Sequence, residues 1–291
     1  MRRAPAIVPA AMPPCYGVSL TIRRMTRIEI DGAGLEVVHL TAPGGGRQRA
    51  PIVFLHEGLG SVAMWRDWPQ TVCNATGRPG WVYSRRGYGQ SDTVPDVRGT
   101  PTLRDGLRHG RLQPDYMHHE ALAVLPALLH RLGVERPVLL GHSDGASIAL
   151  LYASRNALTA CIAMAPHVMV EGLSVRSIEQ ARAAYETTDL RQRLARYHAD
   201  VDNAFWQWND AWLNPAFRDF DIRDDCRGIE APVLAIQGTD DPYGTVAQIE
   251  QIVLPPSRLA RVVLEHCGHS AHRDQPLATT RLIADFLAPL A

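Results

Sequence analysis

The residues of this chain best suited to chemistry lie in the pentapeptide Gly141-His142-Ser143-Asp144-Gly145. A serine hydroxyl is a weak nucleophile. It becomes useful when it projects from a tight turn toward a base, with a helix N-terminus behind it that favours developing negative charge. The apolar run 137–140 leads into the pentapeptide and 146–153 reads as a buried helix, so strand, sharp turn and helix follow in the required order. Such an elbow asks for an acid after a later strand and a histidine after the last one. The run 233–237 ends in Gly238-Thr239-Asp240-Asp241-Pro242, and 262–264 ends in Glu265-His266-Cys267-Gly268-His269-Ser270. Asp240 or Asp241 and His266 or His269 are therefore the candidate partners of Ser143. The histidine would take the serine proton and return it to a leaving group, while the carboxylate fixes the ring's tautomer.

The elements that must position these groups read as β-rich runs alternating with helical patterns, the mark of βαβ units on a largely parallel sheet. Eight strands are expected, at 27–30, 35–40, 52–55, 81–83, 138–140, 160–165, 233–237 and 261–264. The first two form a hairpin across Asp31-Gly32-Ala33-Gly34, because Asp-Gly supplies a positive-φ turn. Helices are expected at 116–132, 144–154, 246–253 and 277–287. The fold class is thus α/β, an eight-stranded mostly parallel sheet flanked by helices. A helical lid at 167–228 interrupts the core, 27–166 and 229–291, after the sixth strand. Residues 1–26, broken by Pro5, Pro9, Pro13 and Pro14, read as a loose leader, and Met25 offers a second start.

From about residue 27 to the end, the elbow, the Asp-Asp turn and the terminal Cys-Gly-His resemble the α/β-hydrolase superfamily. That resemblance selects Asp241, three residues beyond the glycine that closes its strand, and His269, which follows a glycine. It also implies an oxyanion hole made by two backbone N–H groups, those of Asp144 and of Gly58 in His56-Glu57-Gly58-Leu59-Gly60. Glu57 departs from the superfamily pattern, where a glycine usually stands. An unpaired carboxylate beside an oxyanion would raise the barrier, so Glu57 is expected to turn away and pair with a nearby arginine such as Arg85 or Arg86, the alternative being that it faces the pocket and contacts substrate or water. The loop from Ser84 to Asp92 resembles the superfamily's Arg-Gly-x-Gly-x-Ser segment and is read as architecture.

Aromatic residues of the lid offer an apolar wall, and Trp206 and Trp208, with His56, Glu57 and His142, are the candidate pocket residues. The resemblance implies hydrolysis of a small carboxylic ester, thioester or lactone through an acyl-serine. Carbon-carbon bond hydrolysis of a ring-cleavage diketone is the alternative, and a non-catalytic ligand receptor on the same fold is a third.

Thirty acidic residues balance thirty basic ones, all of the latter arginine, so no net field points to nucleic acid or an anionic membrane and a small-molecule substrate is expected. With no lysine there is no Schiff-base chemistry and no Walker-type phosphate lysine. Cys15, Cys73, Cys161, Cys226 and Cys267 are scattered, which reads as reduced cytoplasmic thiols. His118-His119-Glu120 is not read as a metal site, since adjacent helical side chains diverge. No cofactor or metal is expected, no run spans a bilayer, and oligomeric state is not legible.

Overall fold

A computed structural model describes residues 24–42 and 49–290. The leader 1–23, the triple-glycine loop at 44–46 and Cys15 lie outside the described residues. Eight strands build the main sheet: β1 (Arg24–Ile30), β2 (Ala33–Leu40), β3 (Ile52–Leu55), β4 (Gly80–Tyr83), β5 (Val138–His142), β6 (Ala160–Met164), β7 (Val233–Gly238) and β8 (Leu259–Leu264). Each falls where alternating or continuous apolar residues place one, and β1 begins at Arg24, within the expected leader. Asp31 and Gly32, both at positive φ, make the two-residue turn that pairs Ile30 with Ala33. The spatial order is β1-β2-β4-β3-β5-β6-β7-β8. β1 with β2 and β2 with β4 are antiparallel, and all later pairs are parallel.

Strand periodicity sends alternate residues to opposite faces. Val53, Leu55, Leu139, Cys161 and Ala235 join one buried cluster with the helix Asp144–Ala153 and the helical run 116–132. Ile52, Phe54, Val138, Leu140, Ile162 and Ile236 join another with the helices Trp68–Thr76 and Pro276–Leu287. The run 116–132 is not uniform: a π-helical turn, Glu120–Val124, separates Tyr116–His119 from Leu125–Leu132. Pro126 at the start of the last piece lacks an N–H and crowds the carbonyl four residues back, and a wider turn relieves both.

Three elements differ from expectation. Trp68–Thr76 is a helix, ended by Gly77 in the left-handed region, and Thr102–Arg104 pairs with Leu107–His109 as a small antiparallel ribbon around Asp105-Gly106. The helix expected at 246–253 shortens to Ala247–Glu250. Between β6 and β7 the chain forms the helices Gly172–Thr187, Leu190–Leu194, Val201–Trp212 and Arg223–Cys226, with a 3-10 turn at Pro215–Asp219. Among the described residues no helix is long and apolar enough to cross a membrane. The four described cysteines are buried and free of disulfides.

Candidate active site

The elbow is built by close packing. Ser143 sits at φ 54°, ψ −120° between the end of β5 and the helix Asp144–Ala153, and its N–H donates to Met164 O at 2.9 Å. Such a backbone is uncommon outside glycine and costs energy that the surroundings must offset. A Cβ on Gly141 would collide with the carbonyl of Gly145, and one on Gly145 with the carbonyl of Leu55. The two glycines therefore let β5, the turn and β3 approach within backbone contact. Asp144 heads the helix, where first-turn N–H groups have no intrahelical acceptor.

Asp241 and His269 come together. His269 Nδ1 lies 2.8 Å from Asp241 Oδ2, and the carboxylate also accepts from Gln237 Nε2 at 2.7 Å and from Tyr243 N at 2.8 Å. Burial pushes the Asp241 carboxyl up, but the His269 hydrogen bond, the His269 charge and the Tyr243 N–H outweigh it and hold it below the usual carboxylate range. An ionised carboxylate only accepts, so Nδ1 carries the proton and Nε2 of His269 is left as a base. The alternatives Asp240 and His266 are exposed, and Asp240 accepts a local bond from Thr239 Oγ1 at 3.0 Å.

Ser143 and His269 line one cavity of about 150 Å³, together with Gly58, Asp144, Ile178, Trp208 and Trp212. Among the described residues, however, the serine hydroxyl meets Nε2 of His167, at 3.4 Å, and not the ring of His269. His167 is a functional candidate that the sequence reading missed. It follows β6 directly, at the carboxyl end of the sheet where open α/β folds gather ligands, and that position was the available signal. Its backbone is clamped by Ser147, whose Oγ accepts from His167 N at 2.9 Å and donates to His167 O at 2.7 Å. Burial, with help from the neighbouring His269, drives the His167 imidazole down to about 3, so the ring is neutral at ordinary pH.

Glu57 does not pair with the side chain of Arg85 or Arg86. Its Oε1 meets Arg273 Nη2 at 3.1 Å and its Oε2 lies 3.5 Å from His142 Nδ1. Burial raises the Glu57 carboxyl, yet His142, Arg273 and His272 together hold it well below its ordinary value. His142 Nε2 in turn donates to His269 O at 2.8 Å, so the oxyanion-loop candidate, the elbow and the histidine loop are tied into one unit. Arg85 serves backbone instead. It donates to His56 O at 2.9 Å and Glu57 O at 3.1 Å, and stands 3.8 Å from Asp144 Oδ2. The Asp144 carboxylate is further held by Tyr116 Oη at 2.6 Å and Trp212 Nε1 at 3.2 Å. Burial raises its pKa despite these partners.

Of the remaining pocket candidates, Glu57, His142 and Trp208 line the cavity and His56 and Trp206 do not. His56 is fully buried with its Nε2 accepting from Arg85 N at 3.0 Å, which makes it a strut for the loop that follows β4. Trp206 carries the Arg98 guanidinium 3.8 Å from its ring centre and packs on Phe205. Two residues along a helix turn a side chain through about 200°, so Trp206 and Trp208 cannot share a wall, whereas Trp208 and Trp212 do. Trp208 presses its indole Nε1 against the α-carbon of Gly58, leaving no room for a side chain there.

The sheet order, the elbow and the cavity at the strand ends are those of an α/β hydrolase. Residues 52–282 match the Alpha/beta hydrolase family, and the chain belongs to that family. It is a hydrolase of that fold. A curated relative, the putative carbamate hydrolase RutD of Pseudomonas savastanoi pv. phaseolicola (strain 1448A / Race 6), is 27% identical over 266 residues, covering 82% of this chain and 94% of the relative. Among solved structures, the proline iminopeptidase of Mycobacterium smegmatis superposes with a TM-score of 0.67 at 17% identity, covering 91% of this chain and 98% of that one. The enol-lactonase of Burkholderia xenovorans LB400 gives a TM-score of 0.65 at 18% identity, covering 90% of this chain and all (100%) of that one. At such identities these two structures bear on the fold alone.

Proposed function

We propose that the protein is a serine hydrolase that cleaves a small carboxylic ester, thioester or lactone through an acyl-Ser143 intermediate. The observation that carries this reading is the convergence on one cavity of a strained serine at a helix N-terminus and a histidine hydrogen-bonded to a buried aspartate. In this reading His269 Nε2 accepts the Ser143 proton after a side-chain rotation of the serine, a tightening common when substrate binds. The N–H groups of Gly58 and Asp144 receive the oxyanion. His269 then protonates the departing oxygen or sulfur and activates the water that releases the acid.

His167 has a part in the same scheme. Its Nδ1 is buried without a hydrogen-bond partner among the described residues, so the neutral ring is best placed with its proton on Nε2, donating to Ser143 Oγ. That leaves the hydroxyl proton for His269 and steadies the oxygen as negative charge builds on it. The helical segment 167–228 is the lid in this reading, supplying Trp208, Trp212 and Ile178 to the wall over the serine. At about 150 Å³ the cavity is smaller than the roughly 300–1,000 Å³ of drug-sized sites, which favours a short acyl group. The carbamate hydrolase name of its curated relative is in keeping with attack on a carbonyl carbon.

Fluorophosphonate labelling followed by peptide mapping is the test, with turnover measured on short aryl esters, thioesters, lactones, aryl carbamates and ring-cleavage diketones. Labelling at Ser143 with turnover of acyl substrates is expected. Labelling elsewhere overturns the mechanism, turnover of diketones alone moves the chemistry to a carbon-carbon bond, and neither labelling nor turnover makes the protein a receptor.

A further inference from the structure

The ribbon Thr102–Arg104/Leu107–His109, which no part of the proposed chemistry uses, helps enclose a second cavity of about 360 Å³. It shares no lining residue with the cavity at Ser143. Its walls are largely apolar, from Ala33, Leu35, Leu107, Leu112 and Val124, and its size falls in the range of small-molecule sites. Two guanidiniums enter this setting, those of Arg86 and Arg108. Arg86 Nη1 donates to Arg108 O at 2.9 Å and Arg108 Nη1 to Gly110 O at 3.3 Å, so the bonds they make are to neutral carbonyls. Among the described residues neither has a carboxylate within 4.0 Å.

Unpaired cations that are half-buried and adjacent destabilise one another. Burial and then Arg86 depress the Arg108 guanidinium to about 10, and burial depresses Arg86 as well. Acidic groups nearby offset this only in part, Asp92 acting on Arg86 and Glu120 on Arg108 without an ion pair. Asp31 and Asp115 are exposed at the rim. Glu120 is buried but engaged by Tyr83 Oη at 2.8 Å, and burial raises its carboxyl toward the neutral form. Arg85, the remaining cation of the lining, is taken up by Asp144 and two backbone carbonyls. A guanidinium pair backed by apolar walls fits a planar, two-oxygen anion with a hydrocarbon body.

We infer that the cavity under the ribbon, with Arg86 and Arg108 at its polar end, is a second ligand site for an apolar monocarboxylate, separate from the Ser143 cavity. The assignment does not depend on the chemistry at Ser143. The probe is octanoate, with octanamide as its uncharged match, titrated calorimetrically into the full-length protein. A diazirine-bearing octanoate then locates the site by photolabelling and peptide mapping. One site is expected, with labels in residues 30–35 or 103–124. Arg108→Gln and Arg86→Gln should weaken octanoate by about tenfold or more, Arg108→Lys should restore part of the loss, and octanamide should bind at least about tenfold more weakly than octanoate. Melting curves check that the variants are folded, and Arg108, on the ribbon and outside the main sheet, is the safer of the two. Labels confined to residues 167–178, 208–212 or 241–270, equal binding of octanamide, indifference of a folded Arg108→Gln, or no binding at millimolar octanoate would each overturn the assignment.

Discussion

Gly145→Ala is the sharpest test of the elbow geometry, because the added atom is one methyl and its surroundings are backbone. The new Cβ meets the carbonyl oxygen of Leu55, with the carbonyl of His56 close behind. Neither can swing aside as a side chain would. Restoring ordinary contact requires the end of β3 and the first turn after Ser143 to part by roughly 1 Å. Overpacking of this kind costs about 1–3 kcal/mol, which for a domain of this size lowers Tm by several degrees at about 2–4 °C per kcal/mol. The catalytic loss should be larger than the stability loss. β3 leads directly into the loop that carries Gly58, so the same displacement separates the proposed oxyanion donors, and a misplacement of about 1 Å can cost on the order of 10²-fold in rate. The assay is kcat on p-nitrophenyl acetate beside a melting curve. Gly172→Ala is the control, since its Cβ would meet only the mobile tip of Arg176, at 3.3 Å, and its φ is not positive. A Gly145→Ala protein with kcat within twofold or so of wild type would refute the claim that backbone contact between β3 and the elbow sets the site.

Asp241 has a pKa held below that of the unfolded chain, so it adds stability above about pH 4 that fades as pH falls through its lowered value. The Tm gap between wild type and Asp241→Asn should therefore be present at pH 6 and narrow toward pH 3, and a constant gap would show that the charge is not what stabilises. For Glu57→Gln the weakening of the charge-assisted bond to Arg273 should cost about 1–2 kcal/mol in denaturant melts, with kcat reduced by less than about tenfold. An unchanged melt with collapsed turnover would instead put Glu57 in contact with the reacting groups. His167→Ala should lower kcat by about 10- to 100-fold while His167→Gln, which keeps a donor, recovers much of it. Because the His167 ring stays neutral down to about 3, the pH-rate profile between pH 5 and 9 should keep its shape in both variants. A shifted profile would assign the ring a proton-transfer role.

The central strands are legible because both faces are covered, so their sequences are continuous apolar runs whose ends are marked by glycine or an acid turn. The meeting of Asp241 with His269 follows from the same logic, since parallel strands deliver their following loops to one edge of the sheet. What the sequence hides is the choice of partners across long separations. Glu57 finds Arg273 rather than the arginines nearer in sequence, because the helix Ala271–Asp274 sits against the loop after β3 and Arg85 is consumed by backbone carbonyls. The ribbon at Asp105-Gly106 carries a readable turn, but its strands are three residues long, one exposed and the other half-buried, below what periodicity can register. Trp206 and Trp208 look alike in composition, and helical phase alone tells them apart.

The ties at the far end of the chain bear on the order in which the molecule is made. Glu57 is bound by Arg273, Trp68 donates to Thr280 Oγ1 at 3.0 Å, and Arg78 reaches the carbonyls of Leu287 and Leu290. Each partner is synthesised more than 200 positions after the group it ties. The serine elbow leaves the ribosome 126 positions ahead of His269, or roughly 6–25 s earlier at about 5–20 residues per second. Until then the growing chain holds a bare hydroxyl on an incomplete sheet, and stalled or truncated products would carry the serine without the histidine proposed as its base. Under the proposed mechanism, the serine stays inactive until His269 has been made.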